Sequence, residues 1–299
     1  MNDADAALER AIERAIERAI GAPVRILRRA PLGGGSINDT THIETTEGAF
    51  VVKAHRRAPA RMFQSEADGL NALRASGTSL AIPRVIAVGA AEPGAPSFLV
   101  LEYLAAGRRR ADFDETLGRG LAELHRATAD QFGFRTDNYC GATPQPNRWT
   151  PKWTDFYSES RLGHQLRLAV DASLLSPPEA QQIDSLIARL DDWIGEPSSG
   201  PSLIHGDLWS GNLHADYDGR PALIDPAASY AHREAELGMM TLFGGFSARV
   251  FAAYDEAFAL EPGWRDRNPL YELYHLMNHL NLFGGGYRSQ VMSVVRQFA

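Results

Sequence analysis

The apolar positions of this chain repeat in two rhythms, and the rhythm changes near residue 105. Between residues 3 and 20, Leu8, Ile12, Ile16 and Ile20 recur every four positions, the stripe of an amphipathic helix. Arg10 with Glu13, and Arg14 with Glu17, set opposite charges three apart on its wet face. Three Glu-Arg-Ala-Ile units are too few for a coiled coil or a repeat array, so a helix capping the first domain is expected. Gly21 and Pro23 end it. Strands are then predicted over 24–27 and 49–53, flanking the loop Pro31-Leu32-Gly33-Gly34-Gly35-Ser36-Ile37-Asn38. A helix over 63–76 and short strands over 82–88 and 98–103 follow. Together they predict a small sheet carrying one main helix.

Beyond Tyr103 the pattern is mainly helical. Ala105-Ala106-Gly107 reads as a linker, and helices fit 112–127, 153–170, 178–193, 234–258 and 270–282. The stretch 131–153 is loop-like, with Pro144, Pro146 and several Asn. Residues 203–225 are the β-rich interruption. The expectation is an α+β, bilobal molecule: a small β-rich N-lobe over 1–104, a larger mainly helical C-lobe over 105–299, and a cleft between them.

Composition narrows the function classes. The chain has 299 residues, 44% hydrophobic and 22% charged, inside the range of globular proteins. A formal charge of −7 argues against a nucleic-acid grip, which needs a basic face. No run of about 18 apolar residues exists, so no membrane partner is expected. The N-terminal segment lacks the apolar core of a signal peptide, and its acidic residues disfavour a mitochondrial leader. The single cysteine, Cys140, permits no internal disulfide, which fits a reducing compartment; a cytoplasmic protein is expected. The sequence leaves the oligomeric state open.

The candidate chemistry lies in His205-Gly206-Asp207-Leu208-Trp209-Ser210-Gly211-Asn212, followed after a short apolar strand by Asp225. Kinases assemble phosphoryl transfer this way: the first Asp takes the proton of the attacking hydroxyl, and the Asn and second Asp hold Mg²⁺ on the nucleotide phosphates. Asp207 is therefore the candidate base, and Asn212 and Asp225 the candidate metal ligands. Lys53 ends an apolar strand, where a lysine is usually a snorkelling surface residue. Glu66 on the next helix changes that reading, because kinases pair a strand lysine with a helix glutamate to hold the lysine on the α/β-phosphates. Gly34, Gly35 and Ser36 lie in a loop able to fold over phosphates, although glycine clusters are mostly turns. The apolar run ending in Glu102-Tyr103-Leu104 reads either as a core strand with an exit turn or as an edge whose backbone at Glu102 and Leu104 meets adenine.

Two departures separate this chain from protein kinases. Gly206 stands where their catalytic loop carries Arg, and Asp225-Pro226-Ala227 stands where they carry Asp-Phe-Gly. Both point to a protein-kinase-like fold acting on a small molecule.

The catalytic motif, the segments Tyr230–Leu237, 242–246 and 274–284, and the loop 141–147 resemble the fructosamine/ketosamine-3-kinases. The first Asp motif alone also admits aminoglycoside phosphotransferases and choline kinases; Trp209 and His232-Arg233-Glu234 narrow the choice. The resemblance implies ATP-dependent phosphorylation of a sugar hydroxyl on a ketoamine, either a small molecule or a glycated protein lysine, making the adduct labile as a repair step. It places Asp207 as base, Asn212 and Asp225 on Mg²⁺, and Lys53 with Glu66 on phosphate. It makes Trp209 and His279 the substrate-side candidates, each with a structural reading beside it: a core tryptophan fixing the loop, and a helical histidine serving the fold. His232-Arg233-Glu234 is expected to lock the segment after Asp225 by a salt bridge, and Cys140 to be inert. The competing readings are an aminoglycoside or choline-type acceptor and, from another class, a nucleotide-binding pseudokinase without catalysis. The last is disfavoured because Lys53, Asp207, Asn212 and Asp225 are all present.

Overall fold

A computed structural model describes residues 3–33, 39–59, 61–91 and 95–298. Helix α1 (Asp3–Ile20) forms where the stripe predicts it. Its buried face is Leu8, Ala11, Ile12, Ala15 and Ile16, whereas Ile20, at the helix end, is 40% exposed. The helix glutamates reach the segment that follows: Glu17 accepts from the Val24 N–H at 3.0 Å and Glu13 from the Ile26 N–H at 2.8 Å.

The N-lobe continues with β1 (Ile26–Pro31), β2 (Asp39–Thr45), β3 (Gly48–His55), α2 (Met62–Ala75), β4 (Val85–Gly89) and β5 (Ser97–Glu102). The sheet order is β1-β2-β3-β5-β4, antiparallel throughout. Strand β2 escaped the sequence reading because only Ile43 and Thr45 of its residues are buried, so no apolar alternation marks it. In β3 the two-residue period decides which side chain goes where. Phe50, Val52 and Ala54 pack under α1 with Ile43, Phe98 and Val100, while the opposite face meets α2 through Leu99 and Leu101. Lys53 falls on that opposite face. Helix α2 is itself fixed to the other lobe: Gly69 packs on Pro226 and Ala228, and Asp68 pairs with Arg135.

The C-lobe begins with α3 (Phe113–His125), the hairpin β6 (Asn138–Cys140) and β7 (Thr143–Gln145), and α4 (Trp153–Tyr157). A π-helical turn, Ser158–Leu162, joins α4 to α5 (Gly163–Asp171), so the helix expected over 153–170 is continuous but locally widened. Helix α6 (Pro177–Ile187) opens on a capping box between Ser176 and Glu179. Four three-residue strands follow: β8 (Ser202–Ile204), β9 (Leu213–Ala215), β10 (Pro221–Leu223) and β11 (Ser229–Ala231). Strand β9 pairs with β10, and β8 with β11, both antiparallel. The chain ends in α7 (Glu234–Leu242), α8 (Ala248–Ala257), α9 (Trp264–Phe283) and α10 (Arg288–Gln297). The single helix expected over 234–258 is thus two. Gly244 and Gly245, at φ of +67° and +92°, stop α7 in backbone that favours glycine, and Gly245 is pressed against Ser210 of the catalytic motif. Trp153, Phe156 and Tyr157 anchor the core against Leu270, Tyr271 and Leu273 of α9. The fold is α+β and bilobal, as the sequence predicts. Among the described residues, no helix is long and apolar enough to cross a membrane.

Candidate active site

The β8–β9 and β10–β11 connections lie side by side, and backbone bonds hold them together. Ala227 N–H donates to the His205 carbonyl at 2.9 Å, and Ile224 N–H to the Asn212 carbonyl at 3.1 Å. His205 is fully buried between them. Its Nδ1 accepts from the Asp207 N–H at 3.3 Å and its Nε2–H donates to the Ile224 carbonyl at 2.8 Å, which defines a neutral imidazole. Burial pushes its pKa down and keeps it neutral. Gly206 has φ +82°, and a Cβ there would lie 2.2 Å from the Ala227 carbonyl oxygen. The Arg of protein kinases has no room at this position.

Glu236, which the sequence reading passed over as a site residue, organises the loop from below. It is fully buried on α7 and accepts from the backbone N–H groups of both His205 and Gly206, the latter at 3.0 Å. Burial pushes its carboxyl up, but hydrogen bonding and the neighbouring His125 and His205 hold it below its ordinary value. A glutamate amid the apolar run of α7 was the available signal, since an acid there needs fixed donors.

Asp207, Asn212, Asp225, Lys53 and Glu66 converge. Asn212 Nδ2 donates to the Asp207 carbonyl at 2.8 Å and approaches its carboxylate at 3.3 Å. That leaves the Asn212 amide oxygen free of this duty. Lys53 Nζ lies 2.6 Å from Glu66 Oε1 and also pairs with Asp225 Oδ1. Burial alone would lower the lysine pKa, yet the two carboxylates hold it above its ordinary value, so it stays charged. Asp225 has φ +58°, a left-handed conformation that aspartate tolerates better than most residues. Asp207 is half-buried. Burial, then the charges of Asp225 and Glu236, push its pKa well up.

Lys53, Asn212 and Asp225 line one end of a cleft of about 350 Å³, within the range of small-ligand sites. Leu32, Val51, Leu101, Leu104 and Ile224 supply apolar walls, and Glu102 and Tyr103 border it. The Glu102 N–H donates to the Arg84 carbonyl at 2.9 Å, and the Leu104 carbonyl accepts from His214 Nε2 at 3.2 Å. Gly34, Gly35 and Ser36 lie outside the described residues.

Trp209 is 38% exposed, with its indole laid across Gly211; it is not a core tryptophan. His279 is half-buried on α9. Its Nδ1–H donates to the His275 carbonyl at 2.8 Å, and its ring meets Phe243 at 4.8 Å, Tyr287 at 5.1 Å and Phe283 at 5.4 Å. The Phe243–Gly245 turn joins the two regions, touching Ser210 at one end and His279 at the other. Arg233 and Glu234 do lock their segment. Glu234 takes Arg267 of α9 at 2.6 Å, and Arg233 donates to the carbonyls of Phe258 and Ala259. Cys140 is buried, and burial followed by the Asp207 charge pushes its thiol pKa up.

A family model described as fructosamine kinase matches residues 8–299. The chain belongs to the fructosamine kinase family. As a member of this kinase family it is an ATP-dependent phosphotransferase. It is 42% identical over 278 residues to a probable ketoamine kinase of Synechocystis sp., covering 93% of this chain and 92% of the relative. To a chloroplastic protein-ribulosamine 3-kinase of Oryza sativa subsp. indica it is 39% identical over 283 residues, covering 93% and 80%. The solved structure of a candidate fructosamine-3-kinase of Thermobifida fusca superposes with a TM-score of 0.85 at 32% identity, covering 96% of this chain and 98% of the other. The aminoglycoside phosphotransferase APH(4)-Ia, bound to AMP-PNP and hygromycin B, superposes at 0.61 with 14% identity over 97% and 99%. At that identity it shares the fold alone.

Proposed function

We propose that this fructosamine kinase family member transfers the γ-phosphoryl group of ATP to a sugar hydroxyl, the 3-hydroxyl by analogy with its relatives' names, of ketoamines. The acceptor is a small ketoamine or a glycated protein lysine, and phosphorylation makes the adduct labile, a deglycation repair. The observation that carries this is that Lys53, held by Glu66 and paired with Asp225, shares the end of an apolar cleft with Asn212, whose side-chain amide is bonded to Asp207. The single cysteine supports a cytoplasmic workplace, and the lobes divide at 104/105, where the hinge strand has ended.

In this reading adenine lies against Leu101 and Leu104 and bonds the Glu102 carbonyl and the Leu104 N–H. Gly34, Gly35 and Ser36 cover the phosphates. Lys53, held by Glu66, is a fixed positive charge for the α/β-phosphates. The donor set fits a hard cation: with the Asn212 Nδ2 turned to Asp207, its amide oxygen and the half-exposed Asp225 carboxylate are oxygen ligands of the kind Mg²⁺ takes. When bound, the ion supplies charge neutralisation on the phosphates. Asp207 orients the acceptor hydroxyl and takes its proton, so catalysis is mainly positioning and electrostatics. Trp209 stacks on the sugar or the attached amine. His279, with Nδ1–H already spent on a carbonyl, offers Nε2 as an acceptor to a sugar hydroxyl.

An assay of fructosamine, ribulosamine and erythrulosamine derivatives beside kanamycin and choline, with the phosphorylated hydroxyl mapped by mass spectrometry, tests the reading. Transfer to the ketoamines at the sugar 3-hydroxyl is expected. Transfer to kanamycin or choline alone would overturn it.

A further inference from the structure

Around the base the fold gathers a set of ligand atoms, two of which phosphoryl transfer does not use. A Cys140 sulfur at the end of β6, a carboxylate oxygen of Asp207 in the catalytic loop, and a ring nitrogen of His275 on α9 lie within 4.8 Å of one another. They come from three separate elements, 67 to 135 positions apart (207 − 140; 275 − 140), so no local chain geometry brings them together. His275 is only 3% exposed, and its Nδ1 is buried with no hydrogen-bond partner among the described residues. Such an atom normally finds one.

We propose that Cys140, Asp207 and His275 form a site for a borderline-soft divalent cation of the Zn²⁺ class, and that filling it takes Asp207 out of catalysis. The inhibition half rests on the reading of Asp207 as the base. Thiolate, imidazole and carboxylate are the donors zinc selects, whereas Mg²⁺ takes oxygen and keeps its water. The two sites are thus sorted by ligand softness: Asn212 and Asp225 for the hard ion, Cys140 and His275 for the softer one. Bonds of 2.0–2.3 Å place tetrahedral ligand atoms about 3.3–3.8 Å apart, so small side-chain rotations close the trio on an ion. Binding exchanges the thiol proton for the metal, and the proton leaves to solvent. The fourth position falls to water or to the acceptor hydroxyl.

A second cluster with similar side chains shows what disqualifies such a trio. His232, Glu234 and Glu261 also lie within 4.8 Å of one another, but Glu234 is held through both oxygens by Arg267, and His232 Nδ1 accepts from the Glu234 N–H. There the acid is locked in a two-pronged ion pair. The Cys140 trio has long contacts from neutral amides to give up, Asn278 Nδ2 donating to the Cys140 sulfur and Asn212 Nδ2 to the Asp207 carboxylate, each at 3.3 Å. Neither a guanidinium nor an ammonium pairs with Asp207 among the described residues.

The test uses the full-length protein with Co²⁺ as a spectroscopic stand-in and Zn²⁺ as the inhibitor. Co²⁺ should give a near-ultraviolet thiolate charge-transfer band and the strong visible bands of a tetrahedral ion. Cys140→Ser should abolish the charge-transfer band, and His275→Gln should weaken the visible bands. Each should weaken zinc binding by more than about a hundredfold, since outer-shell changes alone cost 10–100-fold. In turnover assays with Mg-ATP, zinc should depress the wild type without changing nucleotide affinity and spare Cys140→Ser, whose metal-free activity should be normal. Melting curves identify a variant that fails to fold, in which case the other carries the comparison. Co²⁺ binding without a charge-transfer band, or undiminished zinc affinity in both variants, would overturn the site. A charge-transfer band with undiminished turnover would support the site and overturn Asp207 as the base.

Discussion

Glu236 accepts the Gly206 N–H at 3.0 Å, and through the same carboxylate the N–H of His205, so one buried charge sets the backbone that presents the base. Hydrogen bonds to charged groups contribute about 1.5–3 kcal/mol each. Glu236→Gln should therefore lower stability by about 2–4 kcal/mol, a Tm drop on the order of 5 °C or more. Because it acts on the loop and not on the nucleotide, kcat should fall while KM for ATP stays near normal. Thermal unfolding and steady-state kinetics on one preparation check both; a normal kcat with a lowered Tm would leave Glu236 a structural residue only.

Lys53 is buried between Glu66 and Asp225, and its removal leaves two acids facing each other. Lys53→Met should reduce kcat/KM for ATP by about 10³-fold, roughly 4 kcal/mol of transition-state stabilisation. Glu66→Gln, which keeps the lysine but loosens its hold, should lose about tenfold. Equal losses in both would mean that Glu66 does more than hold the lysine.

Asp207 makes stability and chemistry pull in opposite directions. Its pKa is raised in the folded protein by burial and by Asp225 and Glu236, and is about 3.9 unfolded. Between those two values the folded state binds the extra proton, so stability falls as pH rises and stays lowered above the folded value. Asp207→Asn should thus melt higher than the wild type at neutral pH, and the difference should vanish near pH 4. The same variant should lose turnover by orders of magnitude and still bind ATP. Melting curves across pH report the sign directly; a variant less stable at neutral pH would contradict it.

Trp209 separates substrate contact from architecture. A side chain 38% exposed over Gly211 has little core to lose, and substitutions at such positions usually shift stability by about 0.5 kcal/mol or less. Trp209→Leu should leave Tm and KM for ATP nearly unchanged while raising KM for the ketoamine about tenfold, and His279→Leu should do the same more weakly. Acceptor and nucleotide titrations of both variants decide it; an unchanged acceptor KM would assign them to the fold.

Much of this molecule was legible in its sequence because the informative residues are local. Asp207, Asn212 and Asp225 are separated by one short loop and one hairpin, so spacing alone implied their meeting. Lys53 and Glu66 were legible through strand alternation and the helix that follows. What escaped depends on distant partners. Strand β2 lacks a buried face, and the break at Gly244-Gly245 reads as a tolerated interruption until Ser210 is seen against it. Glu236 is meaningful only once the backbone of residues 205 and 206 is in place. Cys140, expected to be inert and far along the chain, sits beside the base because the β6–β7 hairpin folds under the catalytic loop.

The seating of α2 has an implication for how this enzyme is governed. Gly69 lies on Pro226 and Ala228, and Asp68 is clasped by Arg135, so the helix that carries Glu66 is held by packing across the lobes. Switchable kinases swing this helix in and out, and the swing is their throttle. Here the helix is clasped in the position that holds Lys53, so any swing of it must first break contacts to the other lobe.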